Sequence, residues 1–433
     1  MTVTPLPTFP EAVRVWAKIG LVSFGGPAAQ IALMHKVLVD EQKWLAEPQF
    51  LSALSFCMLL PGPEAMQLAT YAGWRLHGLK GGLAAGLLFV LPGAVVVLVL
   101  AMIYAAFGTL PLVTAIFLGI KSAVLVIVIE ALLRISKRAL KLPEHWLIAG
   151  LAFAGIFLLQ LPFPVIIVAA ALFGYGRSKA APTAAAPGPQ VPWRQTVVTV
   201  LGWGAIWLLP LLGLAAWLGP SHVLTQQGWF FSKLAVVTFG GAYSVLAYMG
   251  QDVVTHYHWL TPGEMMDGLG LAETTPGPLI LVTEFVGFLA AYGAGGVKSF
   301  GMGFAGAAVA LWATFAPCFL WIFAGAPYIE WINAQSRLRG GLAAITAAVV
   351  GVILNLAVWF ALQVFFARVS GIALGPVHLL VPDLASLNGR VVVLSCLSGY
   401  LLLWRHWDVA RVLLTASAGA VALAALAFGV LGH

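Results

Sequence analysis

Apolar runs of about twenty residues recur along the whole chain, separated by glycines, prolines and short basic clusters. That is the length a helix needs to cross the hydrocarbon of a bilayer. A sliding window marks roughly a dozen such segments. Runs near 82–107 and 110–133 are uninterrupted by charge clusters at their centres. Two shorter runs, about 145–160 and 162–176, read as an out-and-back pair, and 196–218 reads as another crossing. The segment 47–77 is apolar but broken in the middle by Pro61-Gly62-Pro63, and a second break stands at Pro276-Gly277-Pro278.

Sliding the chain along itself gives one match. Residues 18–63 align without a gap on residues 233–278, an offset of 215, and fourteen of those 46 positions are identical. The identities include a lysine, a Phe-Gly-Gly triplet, a Trp-Leu pair and the Pro-Gly-Pro break. Compositional bias does not make such punctuation coincide. The chain therefore reads as a tandem of two related membrane halves, a common build of secondary transporters. The expected division is a first repeat over 1–176, a cytoplasmic linker over 177–195, a connecting transmembrane helix over 196–222 and a second repeat over 223–433. The linker is rich in Ala and Pro and too broken for a span.

Basic residues set the orientation. Arg134, Lys137, Arg138 and Lys141 belong on the cytoplasmic side, as do Arg177, Lys179 and Arg194. If the broken segment 47–77 crosses the membrane, the two halves run in opposite senses. If it is a re-entrant hairpin, the entry side of the first half changes.

Composition sharpens this to an all-α polytopic membrane protein. The chain is 61% hydrophobic and 9% charged, against about a quarter charged in soluble domains. The net charge of +7 sits at segment ends, so it marks orientation rather than a nucleic-acid surface. Three cysteines lie in apolar runs without metal-ligand spacing, and no cofactor or metal is expected. There is no Walker A loop, no His-Glu-x-x-His and no nucleophile elbow. Any pumping would draw on an ion gradient or on the membrane potential, and no enzyme activity is expected.

The candidate chemistry lies at the repeated breaks. Pro61-Gly62-Pro63 and Pro276-Gly277-Pro278 each end one helix and let another start at membrane depth, with the second proline expected in the first turn of the new helix. Broken backbone at that depth must be buried in protein or line a cavity. A helix N-terminus there presents free N–H groups and partial positive charge, which suits an anion; a plain proline kink has the same sequence. Ser23, Gly25 and Gly26 match Thr238, Gly240 and Gly241 as a second pair of breaks, serving either ligand contact or close helix packing. Lys18 and Lys233 precede them within otherwise apolar helices. They can neutralise a dianion as a symmetric pair or snorkel to headgroups. Glu64 follows the first break and caps a dipole or carries a coupling proton. Glu284, Glu130 and Lys121 are further intramembrane charges that could couple transport.

The stretches Phe24-Gly-Gly-Pro-Ala-Ala-Gln30, Phe56-Cys-Met-Leu-Leu-Pro-Gly-Pro-Glu-Ala65, Gln67-Leu-Ala-Thr-Tyr71, Leu91-Pro92-Gly93 and Glu273-Thr-Thr-Pro-Gly-Pro278 resemble the signature of the chromate ion transporter family. Met66 departs from that pattern, which leaves Gln67 as the nearby amide. The resemblance implies efflux of chromate across a bacterial plasma (inner) membrane, hence chromate resistance. It also adds Gln67 and Thr275 to the expected substrate contacts. The partners expected are a small oxyanion and the lipid bilayer, with no nucleic acid; a homodimer is compatible with the reading. Transport or exchange of sulfate by the same architecture, a passive anion channel, and an integral-membrane enzyme acting on a lipid phosphate stand as alternatives. The last lacks the cluster of acids or histidines it would need.

Overall fold

The computed structural model describes residues 7–24, 26–178, 192–239, 241–375 and 377–431. Most of the described chain is helical. In order, the helices are α1 (Phe9–Leu21), α2 (Gly26–His35), α3 (Glu47–Leu59), α4 (Glu64–Phe107), α5 (Pro111–Ala139), α6 (Pro143–Phe157), α7 (Phe163–Arg177), α8 (Trp193–Leu218) and α9 (Val223–Val237). They continue with α10 (Ala242–Gln251), α11 (Pro262–Thr274), α12 (Val282–Tyr292), α13 (Phe300–Gly325), α14 (Ile329–Ala334), α15 (Ser336–Phe365), α16 (Gly389–Gly399) and α17 (Val409–Leu431). Among the described residues six helical segments are long and apolar enough to span a bilayer. This is fewer than the windows marked on the sequence, because several apolar runs are cut short. α6 and α7, for instance, have 15 residues each, below the length of a perpendicular span. The linker expected over 177–195 lies largely outside the described residues. One antiparallel pair of strands, β1 (Val369–Leu374) and β2 (Val377–Pro382), joins α15 to α16; nothing in the apolar pattern announced it.

The repeat survives in three dimensions. α3 and α11 begin and end at positions 215 apart, and α2 and α10 each run on into a π turn, Lys36–Glu41 and Asp252–His256. Both turns close the same way. Gln42 N–H donates to Val37 O and Tyr257 N–H to Asp252 O, each at 2.9 Å, and the next residues, Lys43 and His258, take left-handed φ of 53° and 52°.

The chain divides into two compact units. One comprises Met1–Ala101, Phe173–Val245 and Thr275–Leu342; the other Met102–Leu172, Leu246–Thr274 and Ala343–His433.

In the first unit, α4 is two helices joined at a tight corner. His77 leaves helical geometry and Gly78 takes φ 59°. The chain then reverses, so that Gly73 and Gly81 face each other backbone to backbone, each with the other's carbonyl where a Cβ would stand. α12 and α13 form the matching hairpin, sealed in the same manner by Gly287 and Gly306. Glycine is required at such contacts because the backbones approach within side-chain distance. Buried Trp16, Phe50, Phe56, Phe89, Phe231, Phe285 and Phe288 fill the space between these elements. α8 packs Trp207 and Leu211 onto Ala316 and Leu320 of α13. It leaves Leu201, Leu209 and Trp217 exposed, as a lipid-facing helix does.

In the second unit, α5 packs along α16 and α17. Gly119 of α5 meets the backbone of Ala416, and Ala139, Ala149 and Val350 form a core between α5, α6 and α15. A polar cavity beneath the strand pair is lined by Gln160, Gln251, Asp252, His256, Asn355 and His378, among others.

Candidate functional site

The two Pro-Gly-Pro segments are non-helical, as their sequence demands. α3 ends at Leu59, α4 starts at Glu64, and Pro63 O accepts the first intrahelical bond, from Gln67 N–H at 3.1 Å. After the second break a 3₁₀ turn, Leu279–Leu281, leads into α12, and Pro278 O accepts from Leu281 N–H at 2.9 Å. Each second proline thus sits at the cap position, one residue earlier than the first-turn placement expected from sequence. Proline's missing N–H and fixed φ suit it to either place.

Each break is completed by the other half of the chain. Gly62 N–H donates to Thr238 O at 2.9 Å, and Gly277 N–H donates to Ser23 O at 2.8 Å. The four residues are two pairs related by the same offset of 215, so the exchange is mutual. The acceptor loops match as well, with Phe24 N–H to Val22 O and Phe239 N–H to Val237 O both at 3.1 Å. Gly62 has φ +120° and Gly277 φ +90°. Pro92-Gly93 of α4 backs the second break, where Gly93 faces Pro276 O, and Cys318, next to Pro317 of α13, backs the first.

Two buried amides fasten these loops. Gln30 Nε2 donates to Gly277 O at 2.6 Å and to Ser23 O at 3.5 Å. Gln67 Nε2 donates to Pro61 O at 2.6 Å. Because the partners are carbonyl acceptors, the NH₂ group must face them, which fixes both amide orientations. In each case Oε1 is left buried with no hydrogen-bond partner among the described residues.

Four helix N-termini line one small pocket here: Pro27 of α2, Pro63, Glu64 and Ala65 of α4, Gly241 and Ala242 of α10, and Pro278, Leu279 and Ile280 leading into α12, with Gln30 completing the wall. The first N–H groups of a helix lack intrahelical acceptors, and its dipole places partial positive charge at that end. Four such ends around one point form an environment for negative charge. The enclosed space is small, about 10 Å³, no more than one water molecule occupies.

The residues singled out on sequence do not all meet at the pocket. Pro63, Glu64, Gly241 and Pro278 line the pocket, and Pro61, Gly62, Gln67, Pro276, Gly277, Ser23 and Thr238 build the loops behind it. Gly26 opens α2 with φ +78°, and Thr275 is buried beside the second break. Gly25 and Gly240 lie outside the described residues.

Lys18, in the last turn of α1, and Lys233, on α9, have exposed side chains and are not among the lining residues. Glu284 is buried on α12 with Oε2 unpartnered among the described residues.

Lys121 and Glu130 take separate partners. Lys121 Nζ lies 3.3 Å from Asp267 of α11, which also accepts from Tyr104 Oη at 2.7 Å, and Glu130 pairs with Arg134 at 3.4 Å. At the repeat position of Asp267 stands Ser52, which receives Asn333 Nδ2 at 3.1 Å on both its carbonyl and its hydroxyl. Asp267 therefore carries a partly buried ion pair where its repeat position carries a contact between neutral groups.

Sequence reasoning missed Gln30 and Asp267 as individual residues. Their repeat partners are Val245 and Ser52, so a search for symmetric chemistry passes over them. A buried polar side chain in an apolar broken helix was the available signal.

The family model described as chromate transporter matches residues 11–175 and 225–427, one segment in each half. A chromate transport protein of Pseudomonas aeruginosa is 32% identical over 363 residues, covering 81% of this chain and 80% of that protein. A chromate transport protein of Cupriavidus metallidurans is 28% identical over 359 residues, with 81% and 82% covered. An uncharacterized transporter of Bacillus subtilis, YwrA, matches over 157 residues at 28% identity, only 36% of this chain but 88% of its own length. No solved structure matches the chain. A multi-pass helical chain of two repeats, matched in both, is a transporter rather than an enzyme: it belongs to the chromate transporter family.

Proposed function

We propose that the chain is a secondary transporter that carries chromate outward across the bacterial plasma membrane and thereby confers chromate resistance. The observation that carries the proposal is the convergence of four helix N-termini on one pocket built from both halves. N–H groups and dipoles of this kind hold a tetrahedral oxyanion without a lysine in contact with it. The relatives named chromate transport proteins support chromate as the cargo.

The mutual hydrogen bonds between Gly62 and Thr238, and between Gly277 and Ser23, support a symmetric site that could be reached in turn from either side. Such a relation suits alternating access between inverted repeats. The driving force is electrical: each negative charge leaving a negative-inside cell gains about 2.3 kcal/mol per 100 mV. Exposed Lys18 and Lys233 draw the anion toward the site by long-range attraction. Glu64 stands in the pocket as a carboxylate that competes with the anion unless it takes a proton, which makes it the coupling residue.

The test is chromate uptake into everted membrane vesicles from cells expressing the chain, with and without excess sulfate. Energised, saturable uptake above empty vesicles is expected. Uptake only in right-side-out vesicles would reverse the direction. Sulfate uptake without chromate uptake would replace the cargo.

A further inference from the structure

The pocket offers more than donors. Gln30 has its NH₂ committed to Gly277 O and Ser23 O, so the group left for a ligand is its carbonyl oxygen, buried and unpartnered among the described residues. Glu64, the one titratable residue lining the pocket, adds a second acceptor whenever it is ionised. A fully deprotonated oxyanion has acceptors only. Placed here it would satisfy the helix N-termini but leave Gln30 Oε1 unmet, and it would stand beside the Glu64 carboxylate. An unmet buried acceptor and a like charge in a low dielectric are both costly.

Resting on the transport reading above, we propose that Gln30 is a specificity residue, whose buried carbonyl oxygen accepts a hydrogen bond from an O–H of the substrate, so that the species recognised is a hydrogen oxyanion, tetrahedral and carrying one proton. The N–H groups of the four termini take its charged oxygens, and Gln30 Oε1 takes its hydroxyl.

This separates two ions of the same shape. Hydrogen chromate holds its proton into the neutral range, whereas hydrogen sulfate loses its proton except in strong acid. Sulfate therefore reaches the pocket only as the dianion. Selectivity follows from protonation, which a site reading shape and charge alone would lack.

The experiment uses the full-length chain in proteoliposomes and measures chromate uptake against competitors at one neutral pH. Phosphate and arsenate carry an O–H there; sulfate and selenate do not. Phosphate and arsenate are expected to inhibit about tenfold to a hundredfold better than sulfate and selenate, the worth of one hydrogen bond to a buried acceptor. Chromate uptake should also fall with rising pH in step with the hydrogen chromate fraction. Gln30→Leu should bring the two classes of competitor together.

Saturable chromate uptake that sulfate inhibits as well as phosphate does would overturn the assignment of Gln30 while leaving transport intact. So would uptake that rises with the dianion fraction. Absence of chromate uptake by the unaltered chain at every pH would overturn the transport reading itself, and this inference with it.

Discussion

Gly62 reaches across the repeat to Thr238, donating its backbone N–H to the carbonyl at 2.9 Å. The geometry leaves no room for a side chain. A Cβ at position 62 would stand 2.7 Å from Gln67 Nε2 and 3.0 Å from Cys318 Sγ, at a φ of +120°. Gly62→Ala should destabilise the protein by about 1–3 kcal/mol. It should lower Tm in detergent and reduce chromate uptake, and Gly277→Ala should do the same. Gly26→Ala is the comparison: its φ is +78° but its Cβ would meet nothing within 4 Å, so only the strain remains. Equal Tm values for Gly62→Ala and the unaltered chain would show that the break tolerates a side chain.

The Lys121–Asp267 pair makes a prediction about stability rather than transport. Asp267 is buried, with Oδ2 shared between Lys121 and Tyr104. Lys121→Met strands that carboxylate and should cost about 3–5 kcal/mol, whereas Lys121→Met with Asp267→Asn should recover most of the loss. The neutral Ser52–Asn333 contact at the repeat position of Asp267 is the precedent for the double variant. Additive losses in a double-mutant cycle would mean that the two side chains do not depend on each other.

Glu64 is tested by its charge. Glu64→Gln keeps the shape and removes the competing negative group among the helix termini, so the KM for chromate should fall about tenfold or more. An unchanged KM would remove Glu64 from the binding pocket.

Lys18 and Lys233 act at a distance in this scheme, since neither lines the pocket. Lys18→Ala with Lys233→Ala should reduce uptake mostly at low ionic strength, where long-range attraction is unscreened. Membrane insertion should be unchanged. Full uptake by this double variant at low salt would leave the lysines as headgroup anchors and retire their role as an anion clamp.

Much of the fold could be read from the chain. The Pro-Gly-Pro breaks, the glycine loops and the constant offset are backbone requirements, and backbone requirements leave residue identities behind. The identity stops at Pro63 and Pro278 for a physical reason. Beyond that point the repeat continues as two hairpins sealed by Gly73/Gly81 and Gly287/Gly306, but their corners differ in length. The first turns at His77-Gly78; the second runs from Gly293 to Ser299. Gly73 and Gly287 already stand 214 apart rather than 215, and past the corners Gly81 and Gly306 stand 225 apart, so no gap-free alignment continues. The corner at Gly78 was hidden too, because an apolar pattern continues through it on both sides. The site was half legible. Symmetric residues such as Gly62 and Gly277 stood out, while Gln30, faced by Val245, carries chemistry on one side only.

The exchange of hydrogen bonds between the breaks also bears on how the chain can be divided. A first half alone would hold a Gly62 N–H without its acceptor and a Ser23 carbonyl without its donor, and a second half alone would lack the reverse. Neither would close its own loops, yet each carries what the other is missing. Two fragments made by cutting between Ser178 and Trp193 are thus complementary pieces of one interlock, obliged to recombine before either can finish folding. The same obligation would fall on any half-length chain built on this plan, which could close its break only against a second copy or a sibling.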